Sequence, residues 1–565
     1  MGPSTSLWSS LPALANEEFL ETAFEPIDVP VFNIDADGTS TLSRADDAAL
    51  QMHRQRALPV LEPNGAIPEM DATETSTEGG GAQALPEVFL PEAMPEPRLT
   101  DTDTPDSQTP DSQMPESVME SAETEPEPAE AADYMTAKTS AIEHYNQGIQ
   151  AYNRGDSAAA VASFNAAITA NSDYAEAYLF RAAAKLKLGD PAAAMADYST
   201  AVYIRPDYGL AYFSRGALFY EMGELAAAMG DFEEAIALNP THIEAYAYLG
   251  VTKAAIGAHA EALVDFESAI NIDPEYAIAY MHRGASLIEL GDYENALLPL
   301  TTAIDLRSDY VEAFLNRGVA YYHLAAFPSA LENLNQAIKL DPDNTEAYYN
   351  RSYVYSSLGR PGDALADINE VLALQPDSVQ AYMARGSLYS AQGDTAAAIA
   401  DFNRVIELDA YAGEAYHQRA RARVASNNLP DALSDYESAI RLNPVDGGVY
   451  KGRADAYAIY GDLPAAIQDY SYAIQLDDSY SAAYASRGRA YYESGDAQSA
   501  YQDFTQVIRH DPNASADIYY YRGITLVALG DNFGAHSDLQ IAADRYLANG
   551  EPEGYRAVIE RMSRL

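Results

Sequence analysis

The sequence predicts an all-α fold made of twelve helical hairpins stacked in a row, and three observations lead to it. A small residue recurs every 34 residues from Gly148 to Gly488, and a twelfth follows one residue late at Gly523. An alanine stands twelve residues after every one of these small residues. An aromatic residue stands four residues before eleven of the twelve, with His144 the exception. Such a period indicates one supersecondary structure repeated along the chain.

Each repeat is predicted to hold two helices. An aromatic and a small residue four apart lie on one helix face, and the alanine begins a similar apolar face on a second helix. Pairs such as Gly189-Asp190 and Gly393-Asp394 fall between the two helices, where glycine adopts the left-handed conformation that ends a helix. Prolines such as Pro206 follow the second helix and stop it. One hairpin cannot bury both of its faces, so neighbouring hairpins must stack.

Two charged positions recur at the same phase as the repeat. We predict that they form a ladder of partly buried ion pairs, within a repeat or across to the next, which orients the helices. The arginine precedes the small residue in ten repeats: Arg181, Arg215, Arg283, Arg317, Arg351, Arg385, Arg419, Arg453, Arg487 and Arg522. The aspartate lies on the second helix in nine: Asp197, Asp231, Asp265, Asp367, Asp401, Asp435, Asp469, Asp503 and Asp538.

Residues 1–140 are predicted to be an acidic, Pro/Ser/Thr-rich disordered region. The first 135 residues carry 28 acidic and 4 basic side chains, so burial would not compensate for the loss of chain entropy. Two apolar stretches interrupt this composition, at residues 8–24 and 27–34. They are either residual apolar residues of a tail or a short helix or strand that docks on a partner.

With its aromatic, small, alanine and proline positions, the chain resembles the tetratricopeptide repeat family, and it is similar to bacterial, including cyanobacterial, members. The resemblance implies a right-handed superhelical solenoid of twelve repeats over residues 141–549, closed by a capping helix at 550–565. The chain departs from the family by placing arginine where leucine often precedes the small residue. The resemblance also implies a non-enzymatic scaffold or adaptor that binds a peptide or helix of a partner protein.

In this family the inner face comes mostly from the first helix of each repeat, three residues before and one and four residues after the small residue. The apolar and aromatic residues at these positions are our candidates for a peptide-binding groove. The alternative is that they are buried between neighbouring repeats. The candidates are Phe213, Tyr220, Met281, Ile288, Leu315, Tyr322, Tyr349 and Tyr353.

Composition excludes several other functions. The formal net charge is 34 − 85 = −51, which repels nucleic acids, and no cysteine is present for a thiolate metal site or nucleophile. Histidines are scattered singly, and no phosphate-binding or nucleophile motif occurs, so we expect no enzyme activity, cofactor or metal. No apolar run is long enough to span a membrane and no export signal is found, so we expect a cytoplasmic protein without membrane insertion. The alternative function is an interaction subunit of an enzyme complex, with the catalytic domain on another chain.

Basic residues are rare on the mapped inner face. They are Arg421, Lys451 and Arg489, in repeats nine to eleven. We therefore expect a possible weak intramolecular contact of the acidic N-terminal region with this part of the groove, which salt would weaken. The alternative is a solvated tail that contributes only to solubility.

Overall fold

Helical hairpins follow one another along nearly all of the structure, a computed structural model that describes residues 31–34, 40–43 and 128–565. Each repeat holds an odd-numbered first helix and an even-numbered second helix. The helices of repeats one to six are α1 (Pro128–Asn153), α2 (Ser157–Ala170), α3 (Ala175–Lys187), α4 (Pro191–Ile204), α5 (Gly209–Glu221), α6 (Leu225–Leu238), α7 (Ile243–Ala255), α8 (His259–Ile272), α9 (Ala277–Glu289), α10 (Tyr293–Leu306), α11 (Val311–His323) and α12 (Phe327–Leu340).

The same alternation continues to the last described helix. Repeats seven to twelve hold α13 (Thr345–Ser357), α14 (Pro361–Leu374), α15 (Val379–Ala391), α16 (Thr395–Leu408), α17 (Gly413–Ala425), α18 (Leu429–Leu442), α19 (Gly447–Tyr460), α20 (Leu463–Leu476), α21 (Ser481–Glu493), α22 (Ala497–His510), α23 (Ala516–Leu529) and α24 (Asn532–Ala548), and α25 (Pro552–Met562) follows. The predicted all-α architecture of twelve helical hairpins is confirmed for residues 128–565. Helix α1 begins before residue 141, where the repeats were expected to start.

The turns inside the hairpins have the predicted chemistry. Gly189 has a φ of 77° and ends the first helix, and the carboxylate of Asp190 accepts a hydrogen bond from the N–H of Ala193 to cap the second. Ten of the twelve repeats place glycine at this left-handed position. Ala325 and Asn427 take it in repeats six and nine.

The described helices fall into two compact parts, divided within the first turn of α3. The N-terminal part contains α1 and α2, with Phe164 fully buried and the rings of Tyr145 and Tyr174 5.1 Å apart. The main part runs from Tyr178 to Leu565. In it each second helix packs on its own first helix and on the first helix of the next repeat.

The core of a repeat forms where the small residue of the first helix meets the second helix. A Cβ added to Gly386 would come within 2.7 Å of the ring of Phe402, so the glycine leaves the space that the ring fills. The alanine twelve residues after each small residue is fully buried in every repeat. The last helix, α25, lies against α24 with Val558 buried.

A two-stranded antiparallel hairpin also belongs to the main part. Strand β1 (Val31–Ile34) pairs with β2 (Ser40–Ser43), with Phe32 opposite Leu42. Strand β1 coincides with the apolar stretch at residues 27–34, one of the two stretches for which a docking segment was an alternative. The stretch at residues 8–24, and the disorder expected for most of residues 1–127, lie outside the described residues.

Candidate binding surface on the first helices

The first helices form a layer of their own in the main part. Besides packing on second helices, consecutive first helices contact one another from α5 to α13, and again from α15 to α23. Because first helices of successive repeats contact one another, side chains are packed more closely on the first-helix side of the stack. The inner-face positions predicted from the sequence are distributed over these two runs of first helices.

Five of the eight candidate groove residues are buried in the array. The exposed fraction is 0–1% for Phe213, Met281, Ile288 and Leu315, and 6% for Tyr349. Only Tyr220, Tyr322 and Tyr353 are half-buried, with part of each side chain open to solvent. The buried five contribute to packing between repeats, which was the alternative interpretation for such residues.

The contacts of two buried residues explain their burial. The ring of Phe213 lies 5.9 Å from that of Phe232 in its own repeat and 5.4 Å from that of Tyr248 in the next. The sulfur of Met281 accepts a hydrogen bond from the buried side-chain amide of Asn316, one repeat further on. Residues three before the small residue therefore point toward the following first helix, where aromatic and long side chains fill the space.

Tyrosine hydroxyls contact one another and neighbouring side chains on this surface. The hydroxyls of Tyr349 and Tyr353 are 3.0 Å apart, and their rings meet edge to face at 5.1 Å. The hydroxyl of Tyr322 accepts a hydrogen bond of 3.3 Å from Ser357 in the next repeat. A surface with apolar rings and polar hydroxyl groups can contact apolar side chains and also bind backbone N–H and C=O groups of a peptide.

The character of the surface changes along the array. The corresponding residues of repeats eight to eleven include Ser387, Arg421, Asp455 and Arg489, which are exposed or half-buried. Arg489 lies over the ring of Tyr521, with its guanidinium carbon 4.9 Å from the ring centroid. These repeats therefore present a polar surface, whereas repeats two to seven present an apolar one.

The N-terminal region meets the first helices at a different place from the one expected. Strand β1 contacts α11 and α13, and β2 contacts α9, so the described strands lie on repeats five to seven and not on repeats nine to eleven. The strand sequences VFNI and STLS carry no charge, which suits the apolar repeats. Lys451 in repeat ten is 3.0 Å from Asp455, so this cation already has a carboxylate partner.

The predicted ion-pair ladder is confirmed in eight repeats. In each, the guanidinium donates from Nε and Nη2 to the two carboxylate oxygens of the aspartate sixteen residues later, as Arg385 does to Asp401 at 2.8 Å. We call these eight pairs the ion-pair ladder. They are Arg181–Asp197, Arg215–Asp231, Arg351–Asp367, Arg385–Asp401, Arg419–Asp435, Arg453–Asp469, Arg487–Asp503 and Arg522–Asp538.

The hydrogen bonds of the ladder arginines show which helices they join. The ion pair lies within a repeat, and in several repeats the remaining guanidinium nitrogen, Nη1, reaches the preceding second helix. Arg385 donates to Asn369 at 2.7 Å and Arg419 donates to Asn403 at 2.6 Å. One arginine therefore ties together three helices, two of its own repeat and one of the repeat before.

Four repeats depart from the ladder, the first of them repeat one, which has Gln147 and Ser163 at the two positions. Pro299 occupies the aspartate position of repeat five, and Arg283 turns to Glu267 of the previous repeat at 3.3 Å. In repeat six Arg317 donates to Asn333 at 2.8 Å. In repeat four leucine replaces the arginine, and Lys253, one turn later, reaches Asp265 at 2.7 Å.

Shifted pKa values follow burial and these ion pairs. Burial raises the pKa of the Asp367 and Asp503 carboxyls, and their arginine partners act in the opposite direction. Burial lowers the pKa of His282 to about 3. Among residues 128–565 no three His, Asp or Glu side chains are grouped as ligands for a metal ion. No described helix has the length and apolarity needed to cross a membrane.

Family models decide the classification of the chain. Together they match more than half of the 565 residues: models described as tetratricopeptide repeat match residues 145–209, 349–415, 417–481 and 210–242, and one described as TPR repeat matches 284–324 and 326–359. The chain belongs to the tetratricopeptide repeat family. The 34-residue period of the sequence and the family models thus give the same classification for this tetratricopeptide repeat protein.

Several solved structures are similar to this tetratricopeptide repeat protein. A tetratricopeptide repeat protein from Parabacteroides merdae has 22% identity and a TM-score of 0.37, with 44% of this chain and 98% of that one covered. Yeast Tom70 has 17% identity and a TM-score of 0.38, with 75% and 96% covered. The Cut9–Hcn1 hetero-tetramer of APC/C has 13% identity and a TM-score of 0.37, with 70% and 98% covered. A comparison with curated proteins found no match.

Proposed function

We propose that this tetratricopeptide repeat protein is a non-enzymatic scaffold that binds an extended or helical segment of a partner protein on its first-helix surface. The observation that carries the proposal is the row of half-buried tyrosines, Tyr220, Tyr322 and Tyr353, on an otherwise apolar and closely packed layer. Large rings with polar hydroxyls are frequent among the residues that dominate binding energy at protein interfaces.

A rigid frame supports this role. Each guanidinium of the ion-pair ladder fixes the angle between two helices, and several also fix the neighbouring repeat. Binding then requires little reordering of the surface, which reduces the entropic cost of association. The buried candidates Phe213, Met281, Ile288, Leu315 and Tyr349 have a supporting part in this proposal, because they hold the first helices in place.

The proposal assigns no catalytic role to the described residues. Burial raises the pKa of four described carboxyls. Asp367 and Asp503 belong to the ion-pair ladder, where their arginine partners use both oxygens, and Asp265 pairs with Lys253. The fourth, Glu221, is the last residue of α5.

Site-specific photo-crosslinking tests the proposal. We would replace Tyr322 or Tyr353 with benzoylphenylalanine in the full chain and expose the producing cells to light. The matched control is Tyr203 on the second helix α4, whose side chain is 85% exposed. We expect one partner to be linked from Tyr322 and Tyr353 and not from Tyr203, and to be lost in a Tyr220→Ala/Tyr353→Ala variant crosslinked from position 322. A partner linked equally from Tyr203, or one retained in that variant, would contradict the proposal.

A further inference from the structure

The strands β1 and β2 occupy part of the surface to which the proposed function assigns a partner. The backbone of β1 lies against α11 and α13, and that of β2 lies against α9. We call the surface formed by these three first helices the central groove. The hairpin is therefore an extended segment that is already seated on first helices of the same chain.

The chemistry of the central groove matches that of the hairpin. Its nine inner-face positions carry no charged side chain; they are Met281, Ala285, Ile288, Leu315, Val319, Tyr322, Tyr349, Tyr353 and Ser356. The strands VFNI and STLS are uncharged as well. Repeats nine to eleven place Arg421, Lys451 and Arg489 on the same positions, so a segment without charges is favoured on the central groove.

Burial four residues after the small residue differs along the first helices. Ile288, four residues after the small residue of α9, is 1% exposed. Tyr220 at the same position of α5 is half-buried, and Leu186 of α3 is half-buried as well. On the helices that β1 contacts, Tyr322 of α11 is half-buried and Ser356 of α13 is exposed, so this position is closed most completely on α9, against which β2 lies.

We propose that strands β1 and β2 are a built-in occupant of the central groove and that a partner must displace them to bind there. The proposal rests on the proposed function, since it concerns access to the same surface. It also defines the chemistry of the partner: an extended segment that is uncharged and mostly apolar where it lies against the groove, as β1 is. Because occupant and groove belong to one chain, dilution of the protein does not release the hairpin.

Crosslinking in the full chain tests the position of the hairpin. The natural chain has no cysteine, so two introduced cysteines are the only thiols. We would combine Asn33→Cys with Ser356→Cys on α13 and treat the protein with a short bis-maleimide. The matched control combines Asn33→Cys with Ala366→Cys, an exposed position on the second helix α14 of the same repeat.

We expect a link within one chain for the Ser356 pair, at a rate independent of protein concentration, and at least about tenfold less for the Ala366 pair. Linked dimers whose yield rises with concentration would mean that the hairpin of a second copy occupies the groove, and they would overturn the intramolecular proposal. Equal yields for both pairs would overturn it as well.

A peptide competition experiment tests the release of the groove. The probe is a fluorescent peptide of residues 29–44, and the receptor is the full chain with Phe32→Asp/Leu42→Asp, which puts two like charges on opposed residues of the hairpin. The control, Phe89→Asp/Leu90→Asp, adds the same charge outside residues 31–43. We expect the probe to bind the hairpin variant about tenfold more tightly than the natural chain or the control. Equal affinity for all three would overturn the proposal.

The outcome of these two experiments does not depend on whether the proposed function is correct. Neither requires a partner, so a positive result with no partner linked from Tyr322 or Tyr353 leaves the hairpin in place and removes the scaffold function. The reverse pattern, a partner at those tyrosines but equal crosslinking of the two cysteine pairs, keeps the scaffold function and removes the built-in occupant.

Discussion

Arg385 illustrates how a single side chain stabilises several helices at once. It holds both oxygens of Asp401 in its own repeat and the side-chain oxygen of Asn369 in the previous one. The carboxylate of Asp401 is 7% exposed, so it depends on this partner. A recurring arginine of this kind specifies the orientation of the helices, whereas its net contribution to stability is limited by the cost of burying charge.

Arg385→Ala should therefore destabilise repeat eight by about 2–3 kcal/mol, because it leaves a buried carboxylate unpaired. Hydrogen exchange would measure the opening free energy of α15 and α16, and the effect should extend to α14 through the lost bond to Asn369. The control, Arg360→Ala, breaks an exposed pair with Asp363 and should cost less than about 0.5 kcal/mol. Equal effects of the two changes would show that the ladder is not structural.

His282 predicts a dependence of stability on pH. It is 3% exposed, stacks on Phe266 and is held neutral, with a pKa of about 3 against an ordinary value of 6.5. The unfolded chain therefore binds a proton between these values and the folded chain does not, so stability is present above pH 6.5 and falls as pH decreases toward 3. At pH 5 the loss is about 2 kcal/mol relative to pH 7.5.

His282→Asn should remove this part of the dependence, since Asn316 and Asn350 take the same position in the next two repeats and are fully buried. The measurement is hydrogen exchange of α9 at pH 5 and pH 7.5, corrected for the intrinsic rate. The control is His536→Asn at an exposed position of α24. If the natural chain and the His282 variant lose equal stability, another group causes the dependence.

At the scale of the elements, packing between helices is set by one buried alanine per hairpin. Ala364 of α14 is fully buried, whereas Ala366 two residues later is exposed. Ala364→Leu should overfill the hairpin and cost about 1–3 kcal/mol. Ala366→Leu, on the same helix, should change the free energy of unfolding by less than about 0.5 kcal/mol. Denaturant unfolding of both variants measures the difference, and equal midpoints would contradict close approach at Ala364.

The side chain sixteen residues after each small residue, on the second helix, is also matched in size to its neighbours. Where it is phenylalanine or leucine, the small residue of the same first helix is glycine, and where it is tyrosine, that residue is alanine. The residue two positions before the small residue of the next repeat is then small too, as Gly452 is beside Tyr436. The tyrosine–alanine pairs are Tyr198 with Ala182, Tyr436 with Ala420 and Tyr470 with Ala454.

This matching predicts a coupling between repeats nine and ten. A Cβ at position 452 would lie 2.8 Å from the ring of Tyr436, so Gly452→Ala should destabilise the pair of repeats despite the better helix propensity of alanine. Gly230→Ala, where a Cβ meets nothing within 4 Å, should instead stabilise by about 0.5–1 kcal/mol. In a double-mutant cycle, Tyr436→Leu should recover part of the loss at 452. Additive effects would mean that the two residues do not constrain each other.

The sequence predicts the elements far better than it predicts the binding surface. Gly189, Asp190 and Arg385 each have a local role that a 34-residue period reveals, and the structure places them as predicted. The burial of Met281 and Leu315 depends on how closely the next first helix approaches, which helix periodicity does not give. Strand β1 was only one alternative for residues 27–34, because its pairing and its contact with α11 and α13 join positions nearly 300 residues apart.

On the scale of the whole molecule, a small number of charges attract one another in buried pairs and many more repel one another. Residues 136–565 carry 30 − 57 = −27, and the ion-pair ladder uses eight of the arginines in buried pairs. Most remaining carboxylates lie on the outer surface of the helices, where they repel one another through water. Salt screens such exposed repulsion strongly and buried pairs weakly.

The unfolding midpoint of the full chain should therefore rise when sodium chloride is raised from 10 mM to 150 mM, as the screening length falls from about 30 Å to about 8 Å. Glu233→Gln/Glu234→Gln/Glu261→Gln removes three exposed charges from α6 and α8 and should reduce that rise. Arg385→Ala removes a ladder arginine and should leave the rise intact or enlarge it, because it increases the net negative charge. A midpoint that falls with salt would show that exposed attractions outweigh the repulsion, and the array would then owe its stability to surface ion pairs and not to the ladder.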